Sequence, residues 1–240
     1  MIGLRAAAAR LALILLCAAP APALADITAR YAIGDSKLSF IVEIEDGGDS
    51  RFGVDGVFSV IRQDGIDYVV FTKPDARIVA RLDDAVAALR SEMPATAADA
   101  KESPFLIGGG TTEVQVAGRA AIAWTIGPKG EQALEAAISA DPELAPIGAL
   151  WRRLAETALT ALEGRIIPAA SQFGPRLREL LAKGTVVRIG SVCELRSVDH
   201  VEIDPHRFDL PGPVASPAEL REMLKPGPFT SDEVVAPDKP

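Results

Sequence analysis

Short runs of alternating apolar and polar residues, separated by Asp-Gly turns, occupy the chain between residues 27 and 73. In Lys37–Glu45 the apolar side chains at even positions fall on one face, whereas Ser39 and Glu43 fall on the other. This period of two is typical of strands in a sheet with one covered face. Glycine after aspartate supplies the positive φ that a tight hairpin needs. We therefore predict consecutive antiparallel strands at residues 27–31, 37–45, 51–54, 57–62 and 66–73.

A helical period appears twice in the middle of the chain. Apolar residues at positions 82, 85, 86 and 89 predict a short helix. Asp141-Pro142 has the form of a helix start, and it precedes a longer apolar stripe. This stripe consists of Ile147, Leu150, Trp151, Leu154, Ala158 and Leu162. We predict that Arg152, Arg153, Glu156 and Thr160 face water on the opposite side of that principal helix.

Strands and turns fill the space between and after these helices. Strands are predicted at residues 112–117, 120–126 and 132–139, and the last of these also has helical propensity. Residues 93–104 are interpreted as an exposed connection or a flap, and Gly108-Gly109-Gly110 as a flexible turn. A shorter helix is expected after Gly174-Pro175, with Leu177, Leu180 and Leu181 inward and Gly184 as its end. Ser216-Pro217-Ala218-Glu219 predicts a capped final helix that packs through Leu220, Met223 and Leu224.

The stretch from Gly184 to Pro213 contains the longest alternation in the chain. From Val187 the odd positions are Val187, Ile189, Ser191, Cys193 and Leu195, while Arg188, Glu194 and Arg196 take even positions. This pattern predicts one long strand with an apolar inner face, which crosses the sheet and bends with it. After a break near Asp199, Val201 and Ile203 are expected to resume the inward pattern until Pro205 ends strand pairing.

Residues 1–25 have the pattern of a secretory signal peptide. Arg5 and Arg10 precede the apolar run Leu11–Ala19, and Ala23-Leu24-Ala25 is a small-x-small cleavage site. Nine apolar residues cannot cross a hydrocarbon core that needs about 20 residues of helix. We expect export, cleavage after Ala25 and a domain spanning residues 26–224, followed by a disordered Pro-rich tail at 225–240.

Composition favours a bacterial periplasmic protein. The chain is rich in Ala and uses Arg more than Lys. Lipidation of Cys17 is a weaker alternative, because Leu16 stands where a lipobox has Gly, Ala or Ser. Cleavage would leave Cys193 alone, so the mature chain would form no intramolecular disulfide and would depend on its core.

The acidic charge of the chain excludes some partners. The formal net charge is −8, and cleavage makes it −10 because it removes Arg5 and Arg10 and no acidic residue. Nucleic acid and anionic membrane surfaces need basic patches, so neither is expected as the main partner. The mature chain has no run of eighteen uncharged apolar residues, so no transmembrane segment is expected in it.

Catalytic and metal-binding patterns are sparse. His200, Glu202 and Asp204 share one face of the predicted strand, with Asp199, His206 and Asp209 nearby. Same-face neighbours lie about 6.6 Å apart, so His200 and Glu202 could share an ion, whereas His200 and Asp204, about 13 Å apart, could not. A solvated outer face is the preferred interpretation. Cys193 is interpreted as a buried structural residue, and two histidines without a Gly-x-Ser-x-Gly elbow leave little basis for a hydrolase. We expect no enzyme, no metal and no cofactor.

The chain resembles the lipoprotein-carrier-like proteins, the group of LolA, LolB and LppX, at ten positions in its C-terminal part. The matching residues are Gly184, Arg188, Leu195, Ser197, Val198, Ile203, Asp204, Phe208, Leu210 and Pro211. The resemblance implies an α+β fold in which a strongly curved antiparallel β-sheet, an open half-barrel, wraps over a few helices. It also implies that the concave face holds acyl chains.

The sequence therefore predicts an exported, non-enzymatic protein that binds a lipid or another hydrophobic molecule. The expected cavity lining is Phe40, Val42, Phe58, Tyr68, Trp124, Val187, Ile189, Leu195, Trp151 and Leu154. Aromatic residues of this set would equally well form a filled core. The alternative function is an envelope assembly or scaffold protein that binds another protein through the sheet surface.

Overall fold

Two successive series of strands meet in the middle of one antiparallel β-sheet. The structure, a computed structural model, describes residues 26–72, 76–92, 105–128, 133–162 and 170–224. The predicted signal peptide, the connection at 93–104 and the tail at 225–240 lie outside these residues. The strands are β1 Ile27–Ile33, β2 Ser39–Ile44, β3 Ser50–Val54, β4 Phe58–Gln63, β5 Ile66–Thr72, β6 Arg77–Arg81, β7 Phe105–Val116, β8 Arg119–Pro128, β9 Leu134–Ser139, β10 Thr185–Ile189 and β11 Cys193–Asp199.

The strand order is β6-β5-β4-β3-β2-β1-β11-β10-β9-β8-β7. The first series runs outward from β1 to β6, and the second runs inward from β7 to β11. All neighbouring pairs are antiparallel, and the sheet is not closed because β6 and β7 form its two edges. The large antiparallel sheet of the predicted α+β fold is thus confirmed.

Four helices accompany the sheet in the described part of the chain. They are α1 Leu82–Glu92, α2 Ala145–Leu162, α3 Ala170–Leu181 and α4 Pro217–Leu224. As predicted, Asp141 caps the entry to α2, where its carboxylate accepts a hydrogen bond from the Glu143 amide of a short 3-10 turn. Ser216 and Glu219 form the reciprocal capping box of α4.

The strands β2–β6 have two faces that are covered differently. Residues directly opposite in an antiparallel pair share a face, so the register assigns Val42, Phe52, Val60, Val69 and Ala80 to one side. This side, here called the helix face, packs against α1, α2 and α4. The opposite side is called the outer face.

A strap made of residues 200–216 covers the outer face. Its Ile203 and Phe208 are buried against Ile61, Val70 and Val79. The Ala215 amide donates to the Val79 carbonyl at 2.8 Å, which ties the strap to the edge strand β6. The sequence pattern of alternating residues gave no indication that both faces of these strands would be covered.

Glu43 anchors the strap from below. Arg207 donates hydrogen bonds from Nε to Glu43 Oε1 at 3.0 Å and from Nη2 to Glu43 Oε2 at 2.9 Å. Arg51 Nη1 lies 3.4 Å from Glu43 Oε2. The prediction that only the apolar face is covered is wrong at Glu43, which lies on the other face and is 7% exposed. Burial of this carboxylate is possible because two guanidinium groups satisfy it.

The predicted long strand from Val187 is in fact a hairpin. Strand β10 ends at Ile189, a turn at 190–192 follows, and Cys193 pairs with Ile189. The exposed Ser191 lies in this turn, so it is not an inward residue. Strand β11 ends at Asp199 as expected. Ile203 is buried, but Val201 is 64% exposed because it begins the strap instead of resuming a strand.

Other predictions also needed correction. Gly108–Gly110 lie within β7, at an irregularity of its register with β8, and not in a turn. Helix α3 begins at Ala170, before Gly174-Pro175. Leu38 lies just before β2 and is exposed, as is Met223 of α4. Strand β6 was not predicted. Strands β1–β5, β7, β8 and the ambiguous β9 were predicted, whereas β10 and β11 were predicted as one strand.

Replacing Glu43 with alanine is expected to destabilise the protein by about 2 kcal/mol, because it leaves Arg207 and Arg51 without their shared buried acceptor. Urea unfolding followed by circular dichroism measures this change. Glu194→Ala is the matched control, because the Glu194–Arg196 pair is exposed and should contribute less than about 0.5 kcal/mol. Equal effects of the two substitutions would show that the strap is not anchored at Glu43.

Candidate functional site

The predicted cavity-lining residues fall into three groups. Val42, Val187 and Leu195 are fully buried in the largest core cluster. Partly buried residues pack against this cluster: Phe40, Phe58, Trp151, Leu154 and Ile189. Trp124 packs against a second cluster with α3. Tyr68 belongs to a third cluster, on the outer face, with the strap residues Ile203 and Phe208.

Aromatic rings fill the centre of the helix face. Phe40 stacks on Phe52 with ring centroids 5.4 Å apart, and Phe58 meets both rings edge-on at 6.2 Å. Trp151 of α2 approaches Phe52 at 5.1 Å and Tyr31 at 6.0 Å. These distances are those of packed aromatic pairs. The middle of the predicted cavity is therefore core.

Open apolar space lies beside this aromatic cluster, between α1 and α2. The space, here called the α1–α2 groove, has a volume of about 280 Å³. Its lining residues are Phe52, Val60, Leu82, Val86, Leu89, Leu154, Thr157 and Ala158. Thr157 donates its hydroxyl to the Arg153 carbonyl, so its polar atom is satisfied within α2. Leu89 is 44% exposed, which gives the groove an apolar rim.

Helix α1 was predicted correctly, but two of its residues differ from the prediction in their burial. Leu82 and Val86 line the groove as part of the predicted apolar stripe. Ala88, which was not assigned to the stripe, is buried against Leu220 of α4, whereas Leu89 is exposed. The sequence period thus located the helix face that carries the groove but gave no sign that part of this face would remain uncovered.

Polar groups surround the solvent side of the groove. A second depression between α1 and α2 shares Val86 and Thr157 with it and is lined by charged side chains. These charged residues are Asp83, Arg90 and Glu156. The groove thus passes from an apolar floor on the sheet to a polar mouth between the two helices.

A charged cluster lies next to the floor of the groove. Ser50 and Arg62 are the next paired residues on the helix face after Phe52 and Val60, about 6.6 Å further along their strands. Arg62 donates to Asp67 Oδ2 at 3.0 Å. From α2, Arg153 donates to the Ser50 hydroxyl at 3.0 Å and places its Nε 3.3 Å from Asp67 Oδ2. We call Arg62, Asp67 and Arg153 the groove-end cluster.

Arg153 was predicted to face water, and this is wrong. Its side chain is 31% exposed and is enclosed between α2 and the sheet. Burial lowers the pKa of Arg153; Asp67 raises it, and the second cation Arg62 lowers it further. No sequence signal distinguished Arg153 from Arg152, because both follow Trp151 on the polar side of the stripe.

A larger open pocket, here called the Trp124 pocket, lies near β7, the edge strand of the second series. Its volume is about 490 Å³, and it is lined by Glu113, Ala120, Ala121, Ile122, Trp124, Ile138, Ala140, Asp141, Pro142 and Lys183. Lys183 Nζ lies 4.5 Å from the centre of the Trp124 ring. Arg119 pairs with Asp141 and Glu143 at the rim. The hydrogen bond from the Glu143 amide, and then Arg119, lower the pKa of Asp141.

The histidine and acidic residues of the strap do not assemble into a metal site. No group of three His, Cys, Asp or Glu side chains within the described ranges could hold a metal ion. Asp204 and His206 instead serve the local backbone: the Asp204 carboxylate caps the 3-10 turn Pro205–Phe208. Asp209 lies 2.8 Å from His206 Nδ1 and raises the pKa of this exposed imidazole.

Comparisons with protein-family models, with curated proteins and with solved structures gave no match to this chain. The search for membrane-spanning helices, made over the described residues, found none that is long and apolar enough. The functional interpretation therefore depends on the groove, the groove-end cluster and the Trp124 pocket themselves.

Gly110→Ala is expected to displace Trp124, because a Cβ at Gly110 would collide with the six-membered ring of this tryptophan. Gly110 has a φ of +86° and Gly118 one of +74°, but a Cβ at Gly118 would contact nothing within 4 Å. Gly118→Ala therefore isolates the backbone strain, about 1 kcal/mol. Gly110→Ala should cost about 1–3 kcal/mol more and change tryptophan emission. Identical emission and stability for both variants would contradict the contact.

Cys193 is expected to resist alkylation in the folded protein. It is 4% exposed, and burial raises the pKa of its thiol to about 11. At pH 8 only about one thiol in a thousand would be ionised, against about a quarter in an unfolded chain. Iodoacetamide labelling at pH 8 of the chain that begins at Asp26 and so lacks Cys17, with and without denaturant, measures the difference by mass. Rapid labelling of the native protein would overturn the interpretation of Cys193 as a core residue.

Proposed function

We propose that this chain is an exported, non-enzymatic protein of the bacterial envelope that binds a lipid or another apolar molecule in the α1–α2 groove. The observation that carries the proposal is the groove, whose 280 Å³ or so of open space is lined by apolar groups from the sheet and both helices. Ligand pockets span about 300 to 1,000 Å³. The groove is open to solvent and is therefore suited to a single acyl chain and not to a large molecule.

The mouth of the groove supports an amphiphilic ligand. Apolar side chains form its floor, whereas Asp83, Arg90 and Glu156 surround the adjoining depression. Burial of an alkyl chain against such a floor is favourable by about 25 cal/mol per Å² of apolar surface. A polar group at the end of the alkyl chain would contact these polar side chains and would not be buried in the apolar core.

A half-barrel architecture is part of the same proposal. Strands β11 and β7 are four positions apart in the sheet, and a flat sheet would separate them by about 19 Å. Cα atoms of these two strands approach within 8 Å. This approach supports a sheet that curls strongly on its β7 side, as the resemblance to the lipoprotein-carrier-like proteins implies. Export to the periplasm is supported by the signal-peptide pattern of residues 1–25.

The Trp124 pocket favours the alternative function, an envelope scaffold protein that binds an extended segment of another protein. Strand β7 is an edge strand, and within the described residues no other strand pairs with its free side. An added strand would satisfy the free amides and carbonyls of this edge, as in recognition by β-augmentation. The outer face of β2–β6 is less suitable for a partner, because the strap covers it.

Ala158→Trp is expected to lower the affinity for the fluorescent fatty acid cis-parinaric acid at least about ten-fold, because the indole would occupy the groove. Ala158 is an exposed residue of α2 that lines the groove, so the fold should tolerate the change. Titration of the purified protein by fluorescence measures the affinity.

Ala149→Trp provides the control for this experiment. Ala149 is exposed on the same helix but does not line the groove, so it should leave binding unchanged. Absence of binding by the unaltered protein, or equal loss in both variants, would contradict the groove as the ligand site. Binding of a partner peptide by a protein that takes up no fatty acid would favour the scaffold function.

A further inference from the structure

The groove-end cluster carries more positive than negative charge. Arg62 and Arg153 contribute two cations, and Asp67 is the one carboxylate that pairs with both. The cluster is partly enclosed, with exposed side-chain fractions of 27% for Arg62, 17% for Asp67 and 31% for Arg153. Charges that are shielded from water in this way interact more strongly than surface charges. An additional anion beside the two guanidinium groups would therefore be stabilised.

Hydrogen bonding within the cluster is also incomplete. Arg153 Nε lies within ion-pair distance of Asp67, but neither it nor Asp67 Oδ1 has a hydrogen-bond partner among the described residues. Leaving a buried polar group unsatisfied costs about 1–3 kcal/mol, and such groups are rare in folded proteins. Asp67 and Ser50 therefore satisfy Arg153 only in part. Both unpartnered atoms are closed off from solvent, so a bound anion would contact the exposed parts of the Arg62 and Arg153 guanidinium groups.

The position of the cluster connects it to the groove. Ser50 and Arg62 follow Phe52 and Val60 on the same face of β3 and β4, and Phe52 and Val60 form the groove floor. Arg153 lies one residue before Leu154, which lines the groove from α2. Arg62 is two residues from Val60 along β4, which is a distance of roughly 6.6 Å. The polar head of a molecule whose apolar part lies on Phe52 and Val60 could therefore reach Arg62.

We infer that the ligand of the α1–α2 groove is a single-chain amphiphile with an acidic head, and that this head binds beside Arg62 and Arg153. The inference rests on the proposed function. A carboxylate or a phosphate supplies acceptors for the planar guanidinium groups, to which it binds in bidentate geometry.

The net acidic charge of the chain does not conflict with this site. A membrane surface meets the field of the whole protein, which at −8 repels anionic head groups. A single ligand inside the groove is instead influenced mainly by charges within a Debye length, about 8 Å at physiological salt. The protein would accordingly bind an acidic amphiphile without binding an acidic membrane.

Comparison of cis-parinaric acid with its methyl ester tests the inference, because the two probes share one tail and differ in the charge of the head. The unaltered protein is expected to bind the acid at least about ten-fold more tightly than the ester. Arg153→Gln should bring the two affinities within about two-fold, because the affinity for the acid should fall by much more than that for the ester. Arg153→Lys retains a cation and should keep part of the preference for the acid.

Arg152→Gln is the matched control, since Arg152 is the neighbouring exposed arginine of α2 and should leave the preference intact. Competition by dodecanoate, dodecyl phosphate and dodecanol tells which acidic head fits better; displacement by either acid but not by the alcohol supports the site. Equal binding of acid and ester by the unaltered protein would overturn the inference while leaving the proposed function in place. Binding of neither probe would overturn both.

Discussion

The pairing of β1 with β11 is the contact on which the whole sheet depends. Strands β1–β6 follow one another outward from β1, and β7–β11 follow one another inward to β11, so only the β1–β11 ladder joins the two series. The ladder joins residues 160 or more positions apart, and the entropy of closing so long a loop has to be offset by the contacts it forms. Tyr31 adds to these contacts: its hydroxyl donates to the Val186 carbonyl on β10, beyond β11. Asp26 contributes from the start of β1, where its carboxylate accepts the amide of Ile203.

Local pattern was sufficient to predict most of the strands and the consecutive pairing of β1–β5, but not the pairing of β1 with β11. The alternation in residues 27–72 and the Asp-Gly turns determine consecutive pairing, because each strand meets the next through a short hairpin. The β10–β11 hairpin was missed for a specific reason. A turn of three residues separates Ile189 from Cys193, so the odd-numbered apolar positions continue on one face through the turn as they would along one strand. Gly190, with a φ of +47°, is the residue that permits this turn, yet a lone glycine in an alternating run is also compatible with a strand.

The candidate site could be predicted only in part because its polar residues depend on distant elements. The apolar stripes of α1 and α2 indicated that both helices pack on the sheet, and they do. Glu43 and Arg153, however, were assigned to uncovered faces because a period in the sequence separates apolar from polar positions without showing what covers the polar ones. The strap encloses Glu43 and supplies Arg207, 164 positions away. Arg153 is enclosed because Asp67 and Ser50, near the starts of β5 and β3, face α2.

The position of the groove follows from where the sheet needs dense packing. The rings of Phe40, Phe52, Phe58 and Trp151 and the aliphatic residues around β1 and β11 are packed together at the junction of the two strand series. A void at this junction would remove contacts from the one ladder that unites the sheet, at a cost of about 20 cal/mol per Å² of cavity surface. Space between α1 and α2 is less costly, because neither helix contributes a rung to that ladder. Apolar side chains at positions 62 and 153 would stabilise the protein without a ligand better than Arg62 and Arg153 do, because partly buried charges lose hydration. A ligand with a negative charge would offset the lost hydration of the two arginines. The open space and the arginines beside it would then both contribute to the affinity for such a ligand.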